Sequence, residues 1–197
     1  MADWDDDSPR LRKNLVRVLR NAREHARRRE VPRVEDVRQW HRHMMAGLQC
    51  DGHVGRFRGE PGLEMHRVGI GTKEGTPPGA VVGDLAIFEQ TLQRVVAALD
   101  RRFPVGRELD ADGLRAVVDL CAWAHAEWVR IHPFDNGNGR TARGWANVLL
   151  MRYGLPPAIR LRPRPGDGYG PAGASAMDRN WRPTAAVFWK LLEEFAG

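Results

Sequence analysis

Apolar residues recur three or four positions apart along most of this 197-residue chain, which is the spacing of one face of an α-helix. A first helix is predicted from Ser8-Pro9, an N-cap followed by proline at the first helical position, to a break at Val31-Pro32. The same spacing predicts later helices with apolar positions at 34–48, 85–99, 114–128 and 145–149, a short helix near 171–179 and a last one at 183–195.

The segments between these helices are rich in glycine and proline. Residues 50–83 contain no long periodic run, and the stretch from Val68 to Thr76 has the composition of a short β-hairpin. Residues 155–170 are similar, and follow Gly154, which is expected to end the preceding helix. The sequence therefore predicts an all-α fold, a mainly helical bundle with one small hairpin.

Composition narrows the classes of protein. Hydrophobic residues make up 42% and charged residues 28% of the chain, which fits a soluble globular protein. The net charge of +6 favours anionic partners without naming one. Two cysteines are too few for a disulfide framework, the acidic start has the wrong sign for a signal peptide, and no apolar run is long enough for a membrane span. We therefore expect a cytoplasmic protein with no membrane partner.

The stretch from Ile131 to Arg143, I-H-P-F-D-N-G-N-G-R-T-A-R, carries the chemistry. Its Asn-Gly-Asn-Gly turn favours positive φ and can aim backbone N–H groups at an anion, and the following helix adds its positive end. Arg140 and Arg143 lie about one turn apart, so both can reach one anion. Histidine ordinarily titrates near neutrality, so His132 suits a general base. These residues predict a site that holds a polyphosphate and deprotonates a nucleophile beside it.

This stretch closely resembles the signature of the Fic-domain family, H-P-F-x-(D/E)-G-N-(G/K)-R, which is usually followed by a second arginine three residues later. The chain departs from that signature at one position. Asn136 stands where the family has its acidic residue, and Asp135 occupies the variable position. The resemblance extends over roughly residues 40–195.

The resemblance implies transfer of AMP, or another nucleoside monophosphate, from ATP or another nucleoside triphosphate to a hydroxyl, commonly on Ser, Thr or Tyr of a target protein. His132 would take the hydroxyl proton, and Phe134 would anchor the loop in the core. Arg140 would hold the distal phosphates and stabilise charge on the leaving pyrophosphate. Arg143 would orient the phosphates or brace Arg140. The phosphate cradle is expected at Gly137, Asn138 and Gly139.

The family's flap region also has counterparts in this chain. Gly55 to Arg58, Val68 to Ile70 and Thr76 to Pro78 resemble it. The hairpin is expected to align an extended target segment by strand addition. The residues assigned to this docking role are Gly69, Ile70, Gly71 and Thr72.

Magnesium is the expected metal, because it prefers hard oxygen ligands beside substrate phosphates. Asn136, at the family's metal-ligand position, offers a neutral amide oxygen, so we expect weakened binding of Mg²⁺. Asp135 could substitute, but its side chain is expected to point elsewhere.

Several alternatives stay open on sequence alone. The phosphates could bind in reverse and give a phosphotransferase like the Doc toxins, although those resemble a motif with lysine where this chain has Gly139. The acceptor could be a small molecule instead of a protein. The chain could also be a catalytically weak nucleotide-binding interaction module. In many Fic-like proteins a helix with the pattern (S/T)-x-x-x-E-(G/N) inserts a glutamate against the second arginine of the motif. This sequence contains no such segment, so we expect Arg143 to be free to bind phosphate. Regulation is then expected from a separate antitoxin-like protein or from oligomerisation.

The basic first helix raises the question of nucleic acid. Its arginines are not interleaved with aromatic side chains, so the stacking part of a single-strand site is missing and nucleic acid is an unlikely partner. We interpret residues 1–33 as a basic helical extension with a solvated charged face, and residues 34–197 as the Fic-like domain.

Several histidines invite a metal interpretation. His41, His43, Cys50 and His53 are close in sequence, but their spacing fits no paired Cys/His pattern. We expect an ordinary surface cluster there. His66 has no supporting group in the sequence around it.

Overall fold

The computed structural model describes residues 8–31, 33–166 and 168–197. The predicted break at Pro32 and the acidic start lie outside these residues. The described residues form seven α-helices, α1 (Pro9–Arg27), α2 (Val34–Met45), α3 (Val81–Arg102), α4 (Ala111–Ile131), α5 (Asn138–Arg152), α6 (Tyr169–Ala176) and α7 (Arg182–Ala196). A hairpin of β1 (Gly69–Ile70) and β2 (Lys73–Glu74) and a 3-10 turn (Pro78–Ala80) lie between α2 and α3. The predicted all-α fold with a short hairpin is confirmed.

Helices α4 and α5 form the centre of the bundle. They pack against each other, and α4 also contacts α3, α6 and α7. Their aromatic residues meet in the core, where the rings of Trp128 and Trp145 lie 5.5 Å apart and Phe88 of α3 lies 5.2 Å from Trp145. Burial of such large rings is a main source of stability for the bundle. The loop that joins α4 to α5 thus connects the two central helices of the bundle.

Helix α1 packs on α2 and α5. Ser8 caps it as predicted, with its hydroxyl accepting from the Leu11 N–H at 3.1 Å. Asn14 donates to the carbonyls of Met44 and Ala46, which ties α1 to the end of α2. Its apolar face is buried and contributes Leu11, Leu15, Val18, Ala22 and Ala26 to the core. The domain boundary at residues 33 and 34 stays a prediction.

Each strand of the hairpin has only two residues. Gly69 pairs with Glu74 and Ile70 with Lys73, and Gly71 turns the chain with φ of +59°. Lys73 forms an ion pair with Asp178, just beyond the end of α6. This exposed ion pair joins β2 to the turn after α6.

No helix among the described residues is both long and apolar enough to cross a membrane.

Two valines of α1, one buried and one exposed, test whether the helix packs against the core. Val18 is 4% exposed and Val16, on the same helix, is 59% exposed. We expect Val18→Ala to lower the free energy of unfolding by about 2 kcal/mol, because two methyl groups leave a packed site. Val16→Ala is the control and should change it by less than about 0.5 kcal/mol. Equal effects in urea unfolding would mean that α1 is not packed as described.

Candidate active site

The motif forms the loop between α4 and α5. Helix α4 ends at Ile131, and His132 follows in the left-handed conformation with φ of +54° while its N–H bonds back to the Trp128 carbonyl. Gly137 takes the same conformation with φ of +75° and precedes α5. The two helices therefore fix both ends of a short loop, residues 132–137.

The His132 imidazole is held in one tautomer. Its Nδ1 lies 2.9 Å from the Val129 carbonyl, which can only accept, so Nδ1 carries the proton and Nε2 keeps a lone pair. Burial lowers the pKa of His132, and the nearby Arg58 guanidinium adds to this effect. The side chain is thus a neutral imidazole at neutral pH, with one nitrogen available to accept a proton.

Phe134 and Asn138 are joined to each other on the buried side of the loop. Phe134 is fully buried and stacks on the His41 ring at 3.8 Å between ring centroids. The Asn138 side chain accepts from the Phe134 N–H at 2.9 Å and donates to the Phe134 carbonyl at 2.8 Å. Both polar groups of the Asn138 amide are used in this exchange. Asn138 can therefore contribute to a phosphate cradle only through its backbone.

The turn into α5 matches the geometry of an anion site. A 15-residue helix starts at Asn138. The Arg140 and Thr141 N–H groups bond back to the Gly137 carbonyl, so the N–H groups of Asn138 and Gly139 are the ones in the first turn that can meet an anion. A side chain on Gly137 would be strained by its positive φ and would lie 3.3 Å from the His41 ring. The backbone from Gly137 to Gly139 is consequently free of side chains that would block an approaching anion, apart from the inward-folded Asn138.

Both motif arginines are buried. Arg140 is 7% exposed and Arg143 is 5% exposed. Arg143 donates to the Tyr169 hydroxyl at 2.9 Å and to the Leu161 carbonyl at 2.8 Å. These bonds use two of the five N–H donors of Arg143, so its expected freedom to bind phosphate stays a prediction. One of its terminal nitrogens still lies only 3.4 Å from where a Cβ on Gly139 would be, so its charge is next to the loop.

The Tyr169 hydroxyl links Arg143 to a buried histidine. It accepts from Arg143 and lies 2.7 Å from His125 Nε2, to which it can donate its own proton. Burial lowers the pKa of His125 to about 3, and Arg143 contributes in the same direction. His125 is therefore neutral, and its hydrogen bond holds the Tyr169 hydroxyl that Arg143 contacts.

The two candidate metal ligands of the loop point to different surroundings. Asp135 accepts from Gln49 at 3.1 Å and lies 2.9 Å from His53 Nδ1 and 3.2 Å from His66 Nδ1. The Asn136 Oδ1 atom is buried and has no hydrogen-bond partner among the described residues. A buried amide oxygen without a donor, beside a phosphate cradle, fits a hard cation such as Mg²⁺.

His41 was missed by sequence reasoning, and the surface cluster assigned to it was wrong because the side chain is fully buried. Its Nδ1 accepts from the Gly55 N–H at 2.9 Å, so its Nε2 bears the proton and donates to the Asn136 carbonyl at 3.1 Å. Burial lowers its pKa to about 3, which keeps it neutral. The spacing Val37, His41, Met44 placed it on the apolar face of α2 and could have shown this.

Arg58 was also missed as a site residue. It is 1% exposed, and its guanidinium donates to four carbonyls, those of His132, Ile131, Thr76 and His66, at 2.7 to 3.1 Å. Its own N–H bonds to the Pro133 carbonyl at 2.8 Å. Arg58 thus joins the start of the loop to both ends of the flap segment.

The flap lies directly against the candidate base. A Cβ on Gly75 would lie 2.7 Å from His132 Cβ, so only glycine permits this approach. The predicted docking residues Gly69, Ile70, Gly71 and Thr72 form the first strand and turn of the hairpin that leads to Gly75. The structure therefore brings the hairpin and the motif loop together at His132.

Comparison with known proteins agrees with this geometry. Residues 32–150 match the model of the Fic/DOC family. The chain belongs to the Fic/DOC family.

This Fic domain is also similar to two curated relatives named protein adenylyltransferase Fic. It is 33% identical to the one from Drosophila persimilis over 126 residues and 34% identical to the one from Drosophila erecta over 128 residues. Each match covers 64% of this chain but only 20% and 21% of the relative. The chain thus spans about a fifth of the length of these relatives.

Two solved structures share the fold. A Fic-domain-containing signaling protein from Bacteroides thetaiotaomicron matches with a TM-score of 0.59 and 18% identity, over 94% of this chain and 66% of that one. Fic-1 from C. elegans matches with a TM-score of 0.61 and 25% identity, over 92% of this chain and 47% of that one. The helical arrangement around the loop is thus that of other Fic domains.

Arg58 and its neighbour Arg56 test how this Fic domain holds its loop. Arg58→Lys keeps the charge, but an ammonium group cannot reach four carbonyls in the planar directions of a guanidinium. We expect it to lower the free energy of unfolding by roughly 3 kcal/mol, because buried carbonyls lose their donors. Arg56, whose side chain is 37% exposed, provides the control Arg56→Lys, with an expected change within about 0.5 kcal/mol. Similar values in chemical denaturation would refute the role given to Arg58.

Proposed function

We propose that this chain is a protein adenylyltransferase that transfers AMP from ATP to a Ser, Thr or Tyr hydroxyl of a target protein. The observation that carries the proposal is the neutral, oriented imidazole of His132 beside the positive end of α5. The names of the Drosophila relatives support the same activity.

The proposed reaction begins with the target hydroxyl next to His132. The Nε2 atom accepts the hydroxyl proton while the hydroxyl oxygen attacks the α-phosphorus of ATP. The bond from that phosphorus to the bridging oxygen breaks, pyrophosphate leaves with the bond's electrons, and AMP stays joined to the target by a phosphoester. This displacement requires positioning and neutralisation of charge more than covalent chemistry by the protein.

The remaining motif residues serve the phosphates. The backbone from Gly137 to Gly139 would cradle them, and Arg140 would stabilise the charge that develops on the leaving pyrophosphate. Arg143 already donates two hydrogen bonds, to Tyr169 and Leu161. This supports a role in bracing Arg140 over direct binding of phosphate.

Mg²⁺ would be held by the Asn136 amide oxygen together with phosphate oxygens of the substrate. When bound, it would neutralise phosphate charge. An amide carries no charge of its own, so occupancy should depend strongly on the presence of nucleotide.

Target recognition would use the hairpin. The outer edge of β1 and β2 can accept a further strand, since the described sheet contains only these two. Gly69, Ile70, Gly71 and Thr72 would hold an extended segment of the target whose hydroxyl then lies at His132.

The cytoplasm is the compartment we propose, because it supplies ATP and keeps Cys50 and Cys121 as the free thiols seen in the structure. No inhibitory glutamate segment occurs within these 197 residues. We also propose that a separate inhibitory protein can control the chain.

His132→Asn tests the base without disturbing the backbone. Asparagine tolerates positive φ better than alanine, so the end of α4 should stay intact. We expect AMP transfer, followed as pyrophosphate release with ATP, to fall by about two to four powers of ten. His43→Asn, a half-buried histidine of α2, is the control and should keep its activity. Full activity in His132→Asn would show that another group takes the proton.

Asn136→Asp tests the metal position. The new carboxylate adds charge at the buried oxygen, so apparent Mg²⁺ affinity should tighten by roughly tenfold, equivalent to about 1.4 kcal/mol, and the transfer rate should rise. Asp135→Asn should alter Mg²⁺ dependence little, because its carboxylate is held by histidines and Gln49. The reverse pattern in Mg²⁺ titrations of activity would make Asp135 the magnesium ligand.

A further inference from the structure

His53, His66 and Asp135 form a cluster that the proposed transfer reaction does not use. One ligand atom from each, the two Nδ1 atoms and a carboxylate oxygen, lies within 4.8 Å of the others. The three residues come from distant parts of the chain, the turns after α2, the segment that leads into β1 and the motif loop. We propose that these three side chains bind a divalent transition-metal ion of the zinc type.

The separations between the ligand atoms are close to those that such an ion requires. Ligands bound to zinc at about 2.0–2.1 Å in a tetrahedron lie roughly 3.3–3.4 Å from one another. Asp135 Oδ2 lies 2.9 Å from His53 Nδ1, and Asp135 Oδ1 lies 3.2 Å from His66 Nδ1. Because the three ligand atoms lie within 4.8 Å of one another, the two imidazoles have to approach each other by at most about 1.5 Å to share one ion. The imidazole protons would move from Nδ1 to Nε2 as the ion takes their place.

The choice of ion follows from the donor set. Two imidazoles and one carboxylate suit zinc and its first-row neighbours, whereas magnesium prefers oxygen ligands alone. This site is therefore chemically distinct from the neighbouring amide oxygen of Asn136, although the two residues are adjacent in sequence.

The surroundings of the cluster support binding from solution. The side chains of His53, His66 and Asp135 are 27%, 37% and 26% exposed, so an ion can enter and water can complete its coordination. Gln49 donates to the Asp135 carboxylate at 3.1 Å and can keep this bond as an outer partner of the ion.

Binding would connect the flap to the motif loop. His66 stands three residues before β1 and its carbonyl is held by Arg58, while Asp135 stands next to Asn136. An ion between them would cross-link segments 69 and 82 residues apart from Asp135. It should stabilise the folded chain, since the unfolded chain lacks the assembled site.

The test uses the full chain without an affinity tag, dialysed against ZnCl₂ and analysed for metal content and melting temperature. We expect one zinc per chain, and a rise in melting temperature of roughly 5 °C or more at a hundredfold excess over Kd. His53→Gln and His66→Gln should each weaken binding by at least about a hundredfold and lose the thermal shift. His43→Gln is the control and should bind as the wild type does. A millimolar excess of Mg²⁺ should not displace the zinc.

Two results would contradict the proposed zinc site, and neither would bear on the proposed transfer activity. If the wild type takes up no stoichiometric zinc, or if His53→Gln and His66→Gln combined still bind it unchanged, the site does not exist. Circular dichroism of each variant shows whether it is folded. Should a variant unfold, the visible spectrum of the wild type with Co²⁺ decides instead, with nitrogen-ligated bands expected and the spectrum of the aqueous ion contradicting the proposal.

Discussion

The candidate site depends on the burial of one cation, the guanidinium of Arg58, among backbone carbonyls. Four carbonyls from the end of α4 and from the flap segment converge on it. The contacts to Thr76 and Ile131 are buried, and a buried acceptor left without a donor costs roughly 1–3 kcal/mol. The same contacts fix where the chain leaves α4, and so where the His132 imidazole stands. The geometry of the reactive group is therefore set by a residue more than seventy positions away in the sequence.

A second constraint holds the other half of the loop. His41 connects Gly55 to the Asn136 carbonyl, and its ring stacks on Phe134, which in turn exchanges hydrogen bonds with Asn138. These contacts keep the Phe134 and Asn138 side chains in the core, while the buried Asn136 amide oxygen has no hydrogen-bond partner among the described residues. Such preorganisation is what charge stabilisation in a phosphate-transfer site requires, because little has to reorganise when charge develops. The buried arginines beside the loop supply the positive field.

The sequence was sufficient for the bundle, the hairpin and the identity of the motif, because helical periodicity and a glycine-asparagine turn are local properties. It was insufficient for partners that are distant in the chain. His41 was placed on the surface, Arg58 had no assigned role, and the bonds from Arg143 to Tyr169 and Leu161 were not foreseen. His66 had no visible partner until the fold brought it to Asp135. Each of these depends on tertiary contacts that spacing along one chain does not encode.

The most direct measurement of the central claim is the identity of the transferred group. The protein is incubated with lysate and ATP that carries its label on either the α-phosphate or the γ-phosphate. Nucleotidyl transfer predicts that protein acceptors gain the α-label only. Gain of the γ-label would make the chain a phosphotransferase, α-label on small molecules alone would change the acceptor class, and no gain of either label would contradict the catalytic role of the site.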